Sequence, residues 1–186
     1  CPVTGGVHLA ARGRITALVG GDPALYARHR PAIKAMCAKP FLMGPIGSAA
    51  VIKVITNMLA FIHLVAAGEA LMLARKGGLD LAQAYHAIIA SSGNSFVHET
   101  ESQLVLNGSY DIGFTMDLAL KDLGFALKMA KDGGVPLDLA ARVAAIFEQG
   151  KATYGGGAWS TMIVKLIEDA AGTDLRAPGF PATLEA

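Results

Sequence analysis

One long apolar stretch, residues 47–76, constrains this chain more than any other feature. It contains no proline and reads as a single helix of about 43 Å at 1.5 Å per residue, more than the diameter of a small domain. Its side chains are apolar nearly all round, so other helices, a second copy of the chain, or both must cover it. We expect both, and hence a homodimer or homotetramer. Lys53, Asn57, His63 and Glu69 interrupt the run from 51 to 73. A bilayer span needs roughly 20 mostly apolar residues without such groups, so no membrane role is expected.

The remaining composition narrows the function classes. Of 186 residues, 53% are hydrophobic, which suffices for one sizeable core. Sixteen basic against fifteen acidic residues leave the chain near neutrality, and no Lys/Arg cluster is interleaved with aromatics, so no nucleic-acid partner is expected. Cys1 and Cys37 are the only cysteines and have neither metal-ligand nor disulfide-framework spacing, which fits a reducing, cytoplasmic setting. The histidines at 8, 29, 63, 86 and 98 show no metal spacing either, so no metal site is expected. The first residue is not Met, and the chain opens in a strand-like run, which reads as a fragment of a longer protein.

Residues 1–43 have an α/β pattern. A short strand is expected over 2–7 and a β-rich run over 14–19. A helix capped by Asp22, with Pro23 at its first position, should follow, and then a strand over 40–43. Beyond Gly44 the β signal stops, and helices are expected over 47–76, 81–91, 95–105, 118–132, 138–154 and 160–170. Ser48, Asp80, Asp138 and Ser160 are candidate N-caps, with stops at Gly77-Gly78 and Gly133-Gly134. The two stops sit in similar runs, 70–81 and 126–137, which share the grammar of a helix corner.

Several residues could carry chemistry. Lys53 and Asn57 are four apart, so one helix face presents an amine and a carboxamide from an otherwise apolar wall. Such a lysine either snorkels to water or has a lowered pKa suited to proton transfer. Gly44-x-x-Gly47 reads either as an anion-tolerant helix start or as a hinge. Thr4-Gly5-Gly6 reads either as a carboxylate cradle or as a plain strand exit. Lys121 shares a helix face with Leu118 and Phe125 and is either a solvated surface lysine or functional. Glu69 lies about 160° round the helix from Lys53, so it is not the lysine's partner. His63 reads as a hydrogen-bonded core histidine, and Phe114 and Trp159 as core or pocket lining.

Together these pieces are similar to the β-hydroxyacid dehydrogenase family. The resemblance is carried, in order, by Pro2-Val3-Thr4-Gly5-Gly6-Val7, Val19-Gly20-Gly21-Asp22, Gly44-x-x-Gly47 with Lys53 and Asn57, Gly68-Glu69-Ala70, and 114–123. It implies a mainly α fold: an all-helical domain over 44–186 with a long inter-domain helix, preceded over 1–43 by a small α/β remnant of a Rossmann-like NAD(P)-binding domain. It also implies NAD or NADP as cofactor and a small hydroxyacid or semialdehyde as substrate. Lys53 is then the general acid/base, and Asn57 holds the substrate. Thr4, Gly5 and Gly6 bind its carboxylate, and Lys121 contacts the nicotinamide side of the cofactor. Thr4 stands where the family has serine, keeping the hydroxyl and adding a methyl.

The chain has no strand-G-x-G-x-x-G-helix unit, so on its own it is expected to be inactive and to lack most of the dinucleotide-binding domain. Ala158-Trp159-Ser160 lacks the acidic residue often seen before that pair and carries no site expectation. The 6-phosphogluconate dehydrogenases have a histidine before the equivalent lysine segment and a much longer helical region, and imine reductases usually replace the lysine; neither pattern is present. The alternative is a non-catalytic helical dimerisation scaffold derived from the same family, against which the joint presence of Lys53, Asn57 and Lys121 argues.

Overall fold

The computed structural model describes residues 1–184; the last two residues of the expected domain over 44–186 lie outside the described residues. The chain divides into two compact units, Cys1–Asn57 and Met58–Leu184. The architecture is mainly α, with one small sheet.

The first unit holds strands β1 (Val3–Thr4), β2 (Thr16–Gly20) and β3 (Lys39–Gly44), with helices α1 (Gly6–Ala11) and α2 (Pro23–Met36). The strand order is β1-β2-β3. β1 runs antiparallel to β2, with Val3 opposite Ala17. β3 runs parallel to β2 through the α2 crossover, with Leu18 opposite Phe41. Ala17 and Leu18, on opposite faces of the middle strand, are both buried. Asp22 caps α2 by accepting from the Leu25 amide at 2.7 Å, with Pro23 in the first turn, as the sequence predicts. The expected strand over 2–7 is corrected: only Val3 and Thr4 are extended, and from Gly6 the chain turns into α1. The glycine pair that signals a strand exit also masks the helical run Val7-His8-Leu9-Ala10-Ala11 behind it.

Helix α3 (Ser48–Lys76) is continuous for 29 residues. In the second unit follow α4 (Leu81–Ile89), α5 (Phe96–Asn107), α6 (Met116–Gly133), α7 (Asp138–Tyr154), a 3-10 helix (Ser160–Val164) and α8 (Lys165–Ala171). Asp80, Ser95 and Thr115 cap α4, α5 and α6 through their side-chain oxygens. Asp138 and Ser160, expected as caps, are instead the first residues of their helices, and the caps Leu137 and Trp159 make no side-chain bond. Both predicted glycine corners close alike: the Leu79 amide donates to the Ala74 carbonyl at 3.0 Å, and Val135 to Ala130 at 2.9 Å.

From Met58 onward the buried residues of α3 form one stripe, Phe61, Leu64, Gly68, Leu71 and Met72. Phe61 lies 5.5 Å from Phe147 of α7 and 6.0 Å from Phe114, ring centre to ring centre. Two glycines let the 3-10 helix wedge between α3 and α7. A Cβ on Gly68 would lie 2.9 Å from Val164, and one on Gly150 would lie 2.6 Å from Ile163. The rest of α3 is less covered: Leu59 is 42% exposed and Leu73 76%. His63 falls on this open side and is exposed, which corrects its assignment to the core. The buried, hydrogen-bonded histidine is His98, whose ring nitrogens meet the Tyr85 carbonyl and the Ser102 hydroxyl, each at 3.1 Å.

A buried polar clamp fixes the chain's last stretch. Glu168, 4% exposed, accepts the Tyr110 hydroxyl, the Leu175 amide at 2.8 Å and the Arg176 guanidinium at 3.4 Å. Arg176 also donates to the Val105 carbonyl at 2.6 Å and to the Tyr110 hydroxyl at 2.7 Å. Tyr110 has φ 53, and its carbonyl accepts the Thr161 hydroxyl, so the left-handed backbone is held from both sides. Burial and the bond to Glu168 push the Tyr110 phenol upward, keeping it a donor.

Two predictions follow from this packing. Glu168→Ala leaves a guanidinium, a phenol and an amide short of an acceptor in a mostly dry site, and should cost on the order of 3 kcal/mol in urea unfolding. The second concerns Glu101 of α5, which has no hydrogen bond or ion pair among the described residues. Burial pushes its pKa from 4.5 up to about 8. The folded state therefore keeps a proton that the unfolded chain releases, so this contribution to stability is present below about pH 4.5 and is lost as pH rises to about 8. Glu101→Gln should remove that decline and raise stability at pH 8 by on the order of 1–3 kcal/mol, read as a shift in urea midpoint.

Candidate active site

Lys53 and Asn57 both lie on the early turns of α3, one turn apart and half-buried. Val51, Ile52, Val54 and Ile55 make the rest of these turns apolar, with Thr56 as a further polar residue between the two. Thr56, which sequence reasoning did not single out, donates its hydroxyl to the Lys53 carbonyl at 2.9 Å. A back-bonded threonine of this kind shares a main-chain acceptor with the helix ladder.

Gly44-x-x-Gly47 leads directly into α3. The Ser48 amide donates to the Pro45 carbonyl at 3.1 Å, and the Ala50 and Val51 amides both donate to the Gly47 carbonyl. Gly20 lets β2 approach this turn: a Cβ there would lie 3.0 Å from the Pro45 carbonyl oxygen and 3.3 Å from the Ala49 amide nitrogen.

Thr4 ends β1 opposite Thr16, half-buried. Gly5 and Gly6 follow at φ 125 and 80, a conformation that L side chains rarely adopt. A Cβ on Gly5 would meet Leu9 at 3.0 Å, and one on Gly6 would meet the His8 ring at 3.1 Å. The two glycines thus turn the chain sharply from strand into α1, with the threonine hydroxyl at the bend.

Lys121 belongs to the second unit. It sits on α6 with 53% of its side chain exposed, and its ammonium lies 3.2 Å from Asp122. Leu118 and Phe125, 40% and 51% exposed, flank it on the same face. This open stripe of apolar and cationic groups can meet an amphipathic ligand. Phe114 and Trp159 are half-buried near the base of α6, where Thr115 and Trp159 form a β-bridge. Of the sequence-derived site residues, Thr4, Gly5, Gly6, Lys53 and Asn57 share the first unit, and Lys121 stands in the second. A small apolar cleft beside Gly68 and Glu69 is lined by Val65, Ile146, Ile163 and Val164, and contains none of them.

The residues present fit one end of a dinucleotide. Lys121 offers an exposed amine between apolar neighbours, whereas the glycine-rich turn that would cradle a pyrophosphate does not occur in the sequence.

Both segments of the chain match known families. Residues 47–167 match the family described as NAD-binding of NADP-dependent 3-hydroxyisobutyrate dehydrogenase, and residues 1–44 match the NAD binding domain of 6-phosphogluconate dehydrogenase. The chain is 32% identical to 2-(hydroxymethyl)glutarate dehydrogenase of Eubacterium barkeri, covering 94% of this chain and 58% of the relative. It is 31% identical to L-threonate dehydrogenase of Cupriavidus necator, covering 89% and 56%. The crystal structure of a 3-hydroxyisobutyrate dehydrogenase from Salmonella typhimurium superposes with a TM-score of 0.80 at 30% identity, covering 89% of this chain and 58% of that one. The chain therefore spans a little over half the length of these relatives. With one family match running from the start of α3 to α8 and a second covering the sheet-bearing segment before it, the chain belongs to the β-hydroxyacid dehydrogenase family.

Proposed function

We propose that this chain is the C-terminal part of an NAD(P)-dependent oxidoreductase that interconverts a small β-hydroxyacid and its semialdehyde, of the 3-hydroxyisobutyrate or 2-hydroxy-3-oxopropionate type. In this reading residues 1–43 complete a dinucleotide-binding domain, and residues 44–186 form the all-helical substrate and dimerisation domain. The observation that carries the proposal is the pair Lys53 and Asn57, presented one turn apart from an apolar helix wall in a chain of this family. The relatives support the substrate class, because their names specify hydroxyacids with a hydroxyl one or two carbons from a carboxylate.

The chemistry divides simply. NAD(P), when bound, supplies or accepts the hydride at the carbinol carbon. Lys53 gives a proton to the carbonyl oxygen as its carbon is reduced, or takes the hydroxyl proton in oxidation. Asn57, one turn further on, donates an N–H to the same oxygen and holds it within reach of the lysine. The Thr4 hydroxyl and the amides of the Gly5-Gly6 bend bind the substrate carboxylate, which fixes the orientation of the reacting carbon. Lys121 contacts the nicotinamide side of the cofactor through its exposed amine.

The partially covered α3 supports a homodimer or homotetramer built on the helical part, since Leu59 and Leu73 leave apolar area open to water. The free thiols of Cys1 and Cys37 fit a cytoplasmic setting. No observation favours the non-catalytic scaffold.

In the intact enzyme Lys53→Ala should lower kcat by a factor of about 100 to 10,000, the range for loss of a general acid/base, while cofactor affinity in calorimetry stays within a few-fold. Near-normal turnover would make Lys53 a structural lysine and remove the main support for the proposal. For the assembly, Leu59→Lys combined with Leu73→Lys should shift light scattering towards the monomer mass at micromolar concentration.

A further inference from the structure

Asn107-Gly108 is the only Asn-Gly step in the sequence, and it stands where α5 ends. An asparagine followed by glycine is chemically labile, because a residue without a Cβ lets the next backbone nitrogen reach the side-chain carbonyl carbon. The structure shows what both residues are there for. Asn107 donates its side-chain amide to the Phe180 carbonyl at 2.8 Å, across 73 positions of sequence. Gly108 closes α5 in the left-handed region at φ 96, and a Cβ on it would lie 2.8 Å from Cζ of Arg176. That guanidinium cannot step aside, because it donates to the Val105 carbonyl, the Tyr110 hydroxyl and Glu168. Docking of the segment after α8 therefore calls for an amide donor at 107 and a bare backbone at 108, which together make the labile pair.

The same docking restrains the reaction. The Gly108 nitrogen, which would be the nucleophile, donates its proton to the Leu104 carbonyl at 3.0 Å, and the Tyr110 amide wraps back to the same carbonyl at 3.2 Å. Leu175 is fully buried, the Ala177 amide donates to Leu106 at 3.0 Å, and the Phe180 ring meets the Tyr85 ring edge-on at 4.9 Å. All of these residues belong to the second unit. Attack on the Asn107 side chain requires the last turn of α5 to open, and each of these contacts opposes that opening.

We propose that Asn107 is a self-modification site gated by the C-terminal segment 172–184: unreactive while the segment is docked, and converted to aspartate or isoaspartate when it lifts. The Gly108 nitrogen attacks Cγ of Asn107 and closes a five-membered succinimide. The Cγ–Nδ2 bond breaks, and ammonia leaves with the proton that the Gly108 nitrogen gives up. Water then opens the ring at either carbonyl, so asparagine and water become an acid and ammonia with no change of oxidation state. The conversion is one-way. Aspartate has no N–H for Phe180 and sets a carboxylate oxygen against its carbonyl, and isoaspartate also lengthens the main chain by a methylene at the helix end. An opening that lasts long enough is thus recorded permanently as weaker docking. The proposal does not rest on the dehydrogenase reading.

The test follows the amide-to-acid mass gain at Asn107 by peptide mass spectrometry in the intact protein at neutral pH, with an isoaspartyl methyltransferase assay for the second product. In the folded protein conversion should be at least about tenfold slower than in the same protein unfolded in urea, because only the open fraction reacts. Arg176→Ala and, separately, Phe180→Ala should raise the folded-state rate towards the unfolded one, with circular dichroism as the fold control. Asn94, whose side chain donates to Glu99 at 2.6 Å, is the internal control and should keep its rate in both variants. Asn107→Asp should speed hydrogen exchange of the Ala177 amide by about three- to tenfold, the worth of one lost hydrogen bond. The proposal is overturned if folded and unfolded protein convert Asn107 equally fast, if the unfolded chain does not convert it, or if both folded variants keep the unmodified rate. It is equally overturned if Asn107→Asp leaves Ala177 exchange unchanged. The comparison of folded with unfolded protein needs no variant, so a misfolded variant leaves the proposal open to refutation.

Discussion

The second unit depends on burying one side of a single apolar helix. From Met58 on, α3 offers a stripe in which Phe61, Leu64, Gly68, Leu71 and Met72 recur at three- and four-residue steps, and the remaining helices are arranged to cover it. Where a bulky residue would hold neighbours apart, Gly68 admits the 3-10 helix against the α3 backbone, and Gly150 does the same from α7. Where the neighbours are large, Phe61 meets Phe114 and Phe147. At its C-terminal end Lys76 donates to the Ala171 carbonyl at 2.8 Å, which ties α3 to the end of α8 as the helix dipole favours. The same helix begins in the first unit, where Ala49 is buried beside Gly20.

A second constraint is polar. Burying Glu168 at 4% exposure costs several kcal/mol unless its oxygens are satisfied, and here a phenol, an amide and a guanidinium satisfy them. That requirement recruits the chain after α8. Leu175 is fully buried, the Ala177 amide donates to Leu106 at 3.0 Å, and the Asn107 side chain reaches the Phe180 carbonyl at 2.8 Å. The irregular C-terminal segment is thus held by specific donors and acceptors rather than by helix propensity.

The charge distribution connects fold to proposed chemistry. A unit of net charge +6 (seven basic residues against the single acid Asp22 in residues 1–57) holding Thr4, Gly5, Gly6 and Lys53 raises the local concentration of anions, and both a hydroxyacid and a nicotinamide dinucleotide are anions. Such a field does not position a reacting carbon. In the proposed chemistry that work falls to the half-buried groups on α3 and at the β1 bend, where Gly5 and Gly6 turn the chain at positive φ.

What the sequence by itself determined is whatever is local in origin. The length of α3 follows from an unbroken apolar run, the caps at Asp22 and Asp80 from a side-chain oxygen three residues before an amide, and the corners at Gly78 and Gly134 from glycine past the last helical turn. The adjacency of Lys53 and Asn57 is likewise helical arithmetic, and the family was legible because its short motifs occur in a fixed order. Tertiary structure decided the rest. Which side of α3 is covered, and hence that His63 is exposed while His98 is buried, depends on helices up to 100 residues away in sequence. The Tyr110, Glu168 and Arg176 clamp joins residues separated by 58 and 66 positions, and no local pattern encodes such a pairing. Helix α1 was hidden because Gly5-Gly6 signals a turn whatever follows it. Periodicity and capping are nearest-neighbour effects, whereas burial and buried polar pairing exist only once distant segments have excluded water from between them.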